Sequence, residues 1–142
     1  LIEIWNPTLG IEFLTIRIAI IDDDPVEAIL LGEIAKDLGS HFEFVAFSTI
    51  DAFLECEINA FELAFLDRRL PPHNEFSETL PLLAEAGFSG RIVLMTAHDP
   101  GLQIPVYPFA IIGPVDKLDL LQIETLAPIL ENQVTPRQST AG

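Results

Sequence analysis

The sequence predicts an α/β domain with a doubly wound, five-stranded parallel sheet and helices on both faces. Three observations predict it. Five short apolar runs, at 15–21, 42–47, 61–66, 91–95 and 109–112, are separated by stretches that mostly read as helices. The first run, TIRIAII, is broken only by Arg17 and Ala19. Such near-continuous apolarity suits a strand buried on both faces. Finally, polar residues stand directly after several of the runs, at the strand ends where open parallel sheets gather their ligands.

Each element has its own local signals. After the first strand, PVEAILLGEIAKDL (25–38) reads as a helix, with Asp24 as its cap, Pro25 in its first turn and Gly39 at its end. FEFVAF (42–47) is a second strand, and Ser48 is expected to cap a helix running to about residue 58. FELAFL (61–66) is a third strand, ending at Asp67 and followed by the loop DRRLPPHN. EFSETLPLLAEA (75–86) is helical, with Pro81 marking a kink or a late start and Gly87 closing it. RIVLM (91–95) and FAII (109–112) complete the sheet, and Asp116 is expected to cap a last helix through about residue 131. Residues 98–108 hold Pro100, Gly101, Pro105 and Pro108, which oppose a regular helix there. The organisation expected is an N-terminal extension at 1–14, a domain at 15–131 and a flexible polar tail at 132–142.

The 142 residues suit one domain with a proper core, and 49% hydrophobic residues argue against wholesale disorder. The net charge of −15 repels phosphate backbones, which argues against direct nucleic-acid binding and favours basic partners or divalent cations. The single cysteine, Cys56, excludes an intrachain disulfide and a thiolate zinc site. It reads as a core or helix residue, and its solitude fits a reducing, cytoplasmic setting. No apolar run is long enough to span a bilayer. The N-terminal stretch carries Glu3, Asn6, Pro7 and Glu12 without a basic start, so it does not read as a signal peptide.

The chemistry concentrates at the strand ends. Asp22, Asp23 and Asp24 follow the first strand, Asp67 the third and Thr96 the fourth. Three carboxylates converging from two strand ends would raise one another's pKa values. A hard divalent cation relieves that repulsion, and Mg²⁺ favours one or two carboxylates, a carbonyl, waters and a phosphate oxygen. The competing reading is that Asp24 caps the helix while Asp22 and Asp23 are solvated loop residues. Asp67 and Thr96, placed at the right strand ends, weigh against it.

The ordered pieces AIIDDDP (19–25), AFLDRRLP (64–71) and VLMTA (93–97) resemble the receiver domains of bacterial two-component response regulators. The resemblance covers about residues 15–131. It implies the flavodoxin-like strand order 2-1-3-4-5. It implies that Asp67 is the phosphoacceptor, and that Asp22, Asp23, Asp67 and the backbone carbonyl of Arg69 hold Mg²⁺. Thr96 matches the hydroxyl that bonds the phosphoryl group, Ala97 the small residue that leaves the acceptor accessible, and Pro71 the proline that shapes the following loop. The implied partners are a histidine kinase or phosphotransfer protein as donor and an unidentified output partner, with a homodimer left open. Such a chain is a signalling domain and not an enzyme, beyond assisting its own phosphorylation and dephosphorylation.

The sequence departs from that pattern in several places. Gly113 stands before Pro114 where the family has a lysine. Lys117, four residues on and just inside the final helix, is not expected to replace it. Ala110 stands at the position of the family's switch aromatic, and Phe109 beside it should face the opposite side of the strand. The fourth helix is expected to be shortened or lost. Arg68 and Arg69 follow the acceptor directly. Either Arg69 leans over the carboxylates as a substitute cation, or both arginines turn to water and surface acids. His98 would border the site. The departures sustain an alternative function: a degenerate receiver that binds partners without a phosphorylation cycle. A Mg²⁺-dependent phosphohydrolase is a remote third reading, since no second acid follows Asp67 and no glycine-rich phosphate loop follows the first strand.

Overall fold

The computed structural model describes residues 2–6, 11–73, 75–97 and 103–134. In chain order the strands are β1 (Ile2–Asn6), β2 (Ile11–Ile21), β3 (Phe42–Phe47), β4 (Leu63–Asp67), β5 (Arg91–Thr96) and β6 (Ile111–Asp116). The helices are α1 (Pro25–Ala35), α2 (Ile50–Leu54), α3 (Phe76–Glu85), α4 (Lys117–Leu120) and α5 (Ile123–Val134). Strands β3, β2, β4, β5 and β6 lie side by side in that order, all parallel. Numbered along the chain, these five strands have the expected order 2-1-3-4-5.

The N-terminal extension contributes a strand of its own. β1 pairs antiparallel with the first part of β2, from Ile2 opposite Thr15 to Asn6 opposite Ile11. The rest of β2, from Ile16 onward, pairs with β3, and Ile18–Ile21 pairs with β4. One long strand therefore serves a hairpin at its start and the parallel sheet at its end.

Side chains alternate across the sheet, so each central strand feeds two cores. Ala19, Ile21, Ala64, Leu66, Ile92 and Leu94 pack with Ile50 and Phe53 of α2 and Leu80 and Leu83 of α3. Ile18, Ile20, Leu63, Phe65, Val93 and Met95 pack on the other face with Leu31 of α1 and Leu126 and Leu130 of α5. All of Leu63–Asp67 is buried, which is why β4 reads as an uninterrupted apolar run.

Several boundaries differ from the sequence expectation. Asp24 caps α1 as expected, its carboxylate accepting from the Val26 amide at 3.0 Å. The helix then tightens into a 3₁₀ turn at Lys36–Leu38 before Gly39. Thr49, not Ser48, caps α2 by accepting from the Ala52 amide at 3.1 Å, and α2 stops at Leu54. Cys56 follows it in an exposed position, not in the core. Pro81 and Pro128 lie inside α3 and α5 without ending them. Each proline removes one bond to the carbonyl four residues earlier, but those carbonyls belong to the exposed residues Ser77 and Glu124, where water can serve them. The expected last helix is two: Asp116 caps α4 through the Leu118 amide, and a break at 121–122 precedes α5.

The largest change concerns the last strand. It begins at Ile111 and runs through Gly113 and Pro114 to Asp116. Pairing shifts between Val93 and Met95 of β5, which face Ile112 and Val115, so β6 carries one residue more than its partner and forms a bulge. A proline is tolerated there because β6 is a sheet edge. Among the described residues, 103–110 contain no helix, in line with the loss expected there. Instead Tyr107 stacks on Phe109 with ring centroids 5.7 Å apart. Phe109 in turn meets Phe88 and is buried, whereas Ala110 is exposed.

Gly113 makes the bulge possible. Its φ is +110°, and a Cβ would lie 2.7 Å from the Val115 nitrogen and 2.9 Å from the Leu94 carbonyl oxygen. Gly113→Ala is therefore expected to lower stability by about 2 kcal/mol or more, measured as a shift in the urea unfolding midpoint. An unchanged midpoint would contradict the account.

Candidate functional site

The parallel strands deliver their polar ends to one edge of the sheet. Asp22 follows β2 directly, Asp67 closes β4 and Thr96 closes β5. Pairing of Ile21 with Leu66 sets Asp22 beside Asp67. Asp22 and Asp67 are only 5% and 8% exposed, and Thr96 is 2% exposed, while Asp23 and Ala97 are open to solvent. Asp22, Asp23 and Asp67 each offer an oxygen within 4.8 Å of the others. A cleft of about 390 Å³ lined by Asp67, Arg68, Arg69, Thr96, Ala97 and Lys117 opens beside them. The structure thus brings together the acidic trio, the hydroxyl residue and the small residue. His98 lies outside the described residues.

Lys117, not expected to stand in for the missing lysine, is the cation that meets the acids. Its ammonium lies 2.6 Å from Asp22 Oδ2 and 3.5 Å from Asp67 Oδ1. The reason is the path of β6. Continuing the strand past Gly113 and Pro114 sets Asp116 opposite Thr96, so the next residue, Lys117, starts at the rim of the pocket. A lysine stem then reaches the acids from the first position of α4, and the side chain is mostly buried on the way.

Arg69 does not lean over the carboxylates. Arg68 donates to both oxygens of Glu75, at 3.0 and 3.3 Å, and Arg69 Nε donates to Glu75 Oε2 at 3.2 Å. The second of the two sequence readings therefore holds, with Glu75 as the surface acid. These contacts fasten the loop after Asp67 to the start of α3, and Glu75 consequently makes no side-chain cap for that helix. The two arginines hold the Glu75 carboxyl below its ordinary value, Arg68 most of all.

Burial and the neighbouring charge of Asp22 push the Asp67 carboxyl up to about 6, against the opposing pull of Lys117 and of the Arg69 amide. Lys117 is held above its ordinary value: burial alone would lower it, but the contact with Asp22 and the charges of Asp67 and Glu27 outweigh that. Glu27 is the residue that sequence reasoning missed. It lies in the first turn of α1, 7% exposed, with its Oε2 buried and without a hydrogen bond. Burial raises its pKa, as do Asp22, Asp24 and Asp67, while Lys117 pulls the other way. Its spacing from Asp24 is that of an ordinary helix-capping pair, which disguised it.

The donor set fits a divalent cation. One oxygen of Asp22 accepts from the Asp24 amide at 2.9 Å. The other, Oδ2, is buried and has no aligned hydrogen bond; the ammonium contact beside it is an ion pair set off the bonding direction. A buried carboxylate oxygen with two further carboxylate oxygens within 4.8 Å is a donor set of the kind that suits a hard cation.

No family model matches the sequence, and no curated protein matches it either. Solved structures do. A receiver domain from Methylobacillus flagellatus is similar over 83% of this chain and 98% of its own, at 20% identity and a TM-score of 0.58. The chain has the receiver fold. A receiver domain protein from Methanospirillum hungatei matches 84% of this chain and 97% of its own, at 24% identity and a TM-score of 0.54. A response regulator protein from Thermotoga maritima, in complex with Mg²⁺ and BeF, matches 83% and 98%, at 18% identity and a TM-score of 0.60. Within the receiver fold, the ends of β2, β4 and β5 are where this chain sets its acids and its threonine.

The raised Asp67 carboxyl has a consequence for stability. Its ordinary value is 3.8 and its folded value about 6. The folded state therefore binds the extra proton, and this group's favourable contribution is full at low pH and lost as pH rises through about 4 to 6. Asp67→Asn is expected to be more stable than the parent at pH 7 without divalent cations, by about 1–3 kcal/mol. The gain should fade towards pH 4, as followed by urea unfolding across pH.

Proposed function

We propose that the chain is a phosphoacceptor in two-component signal transduction, taking a phosphoryl group at Asp67 from a histidine kinase or phosphotransfer protein. The observation that carries this reading is the Lys117 ammonium set between Asp22 and Asp67. It restores the positive charge that Gly113 cannot supply. A carboxylate is a weak nucleophile, and transfer from a phosphohistidine forms an oxygen–phosphorus bond at Asp67 while the nitrogen–phosphorus bond breaks. Charge on the phosphoryl oxygens must be neutralised, so catalysis is positioning plus electrostatics. Lys117 supplies one cation, the Thr96 hydroxyl a hydrogen bond, and Ala97 the space for the donor to approach. Asp22, Asp23, Asp67 and the carbonyl of Arg69 would hold Mg²⁺, which, when bound, neutralises phosphoryl charge.

The role is that of a signalling domain, and we place it in the cytoplasm, with an output partner still to be found. Among the described residues no helix is long and apolar enough to cross a membrane. A partner-binding receiver without a phosphorylation cycle draws on Gly113, Ala110 and the shortened fourth connection, and Lys117 answers the first of these. The lack of a helix in 103–110 and the exposed Ala110 still favour a readout that differs from an aromatic switch.

Intact-mass spectrometry after incubation with a small phosphodonor tests the proposal. A single phosphoryl addition is expected that needs Mg²⁺, vanishes in Asp67→Asn and slows at least tenfold in Thr96→Ala. Labelling that survives Asp67→Asn, or that ignores Mg²⁺, would refute it.

A further inference from the structure

The pocket contains a cation of its own, and it sits where a metal ion would bind. Asp22 has two oxygens. One is taken by the Asp24 amide at 2.9 Å. The other has the Lys117 ammonium 2.6 Å away. The same ammonium lies 3.5 Å from Asp67 Oδ1, which also faces the Arg69 amide at 3.4 Å. Asp22, Asp23 and Asp67 each offer a carboxylate oxygen within 4.8 Å of the others, and with Asp22 Oδ1 held by the Asp24 amide, Oδ2 is the Asp22 oxygen left for a cation.

We propose that Lys117 is a displaceable plug of the metal site, competing with the divalent cation for Asp22 Oδ2. This rests on the reading that the acidic trio is the metal site. Two positive charges a few ångströms apart in a partly buried pocket repel strongly, so the cation binds only as the ammonium gives way. The lysine is well placed to do so. It stands at the first position of α4, a helix of only four residues, on a flexible four-carbon stem. Glu27, in the first turn of α1, is a further buried acid near these charges. Its buried Oε2 has no hydrogen-bond partner, and it lies within electrostatic reach of Lys117, Asp22 and Asp67. An ammonium released from Asp22 can stay with the acids around it or pass to an incoming phosphoryl oxygen. Metal binding in the absence of a phosphodonor is consequently weak, and a donor's approaching phosphoryl group, by drawing Lys117 away, opens Asp22 to the metal before transfer.

Isothermal titration calorimetry with MgCl₂ on the full chain tests this. Lys117→Met is expected to tighten the Mg²⁺ dissociation constant by about tenfold or more, since it removes a like charge from the site. Lys117→Gln, polar and of similar reach, should tighten it in the same direction, and guards against a packing artefact of the methionine. Thermal melts of both variants report whether they fold. Affinity unchanged or weakened in the folded variants would overturn the plug, as would an absence of Mg²⁺ binding in parent and variants alike. The phosphoacceptor reading is judged separately. Tightening by both variants alongside failed labelling at Asp67 would leave the plug standing and remove the phosphoryl transfer.

Discussion

The ion pairs from Lys117 to Asp22 and Asp67 are the contact around which the rest of the site is organised. Parallel strands that end in one plane collect their terminal residues in a small space, and here two of those residues are buried acids. Left alone, they would resist ionising together, and the raised Asp67 carboxyl records that strain. A single ammonium, itself mostly buried, makes the cluster tolerable. Its position depends on the bulge in β6, the bulge depends on Gly113, and Gly113 depends on having no Cβ. The glycine that looks like a deletion is a structural condition for the lysine that meets the acids.

The loop after Asp67 is held from the other side. Arg68 and Arg69 both turn to Glu75, fastening the acceptor loop to α3. Ion pairs near the surface stabilise little, but these have a positional effect. They keep two guanidinium groups away from the carboxylates, so Lys117 is the cation found against Asp22 and Asp67 among the described residues. On the proposed reading, one flexible ammonium yields to a metal or follows a phosphoryl group. A pair of arginines bound to the acids would hold more stubbornly, because the planar fork favours bidentate pairing.

The parts of the fold that rest on periodicity were legible in the sequence. Four of the five parallel strands were placed by their apolar runs, β3 with its observed ends, while the fifth, read at 109–112, runs Ile111–Asp116. Helix starts were legible where a short polar side chain caps a proline or an apolar run, as at Asp24 and Asp116. The reading failed where geometry depends on partners distant in sequence. Thr49 caps α2 although Ser48 has equally suitable chemistry, because backbone direction after β3 decides which oxygen faces the free amides. The end of β6 was misread because glycine and proline ordinarily break a strand, while pairing with β5 carries this one past both. The exposure of Cys56 was equally invisible, since it depends on where α2 stops.

Sequence alone determined the fold class, the strand order implied by the resemblance and the identity of the acids. The fold class and the acids follow from hydrophobic pattern and from aspartates at strand ends, which are local properties of the chain; the strand order is what the resemblance implies. Tertiary structure alone decided which cation faces them. Lys117 lies 50 residues beyond Asp67 in the chain, and its reach depends on one extra residue in an edge strand, a matter of register that no local pattern encodes. It also decided that Glu27 is buried beside the acids, whereas its neighbours Val26 and Ile29 are exposed. The physical reason is the same in both cases. A charge acquires its role from the charges around it, and those neighbours are set by how strands and helices pack.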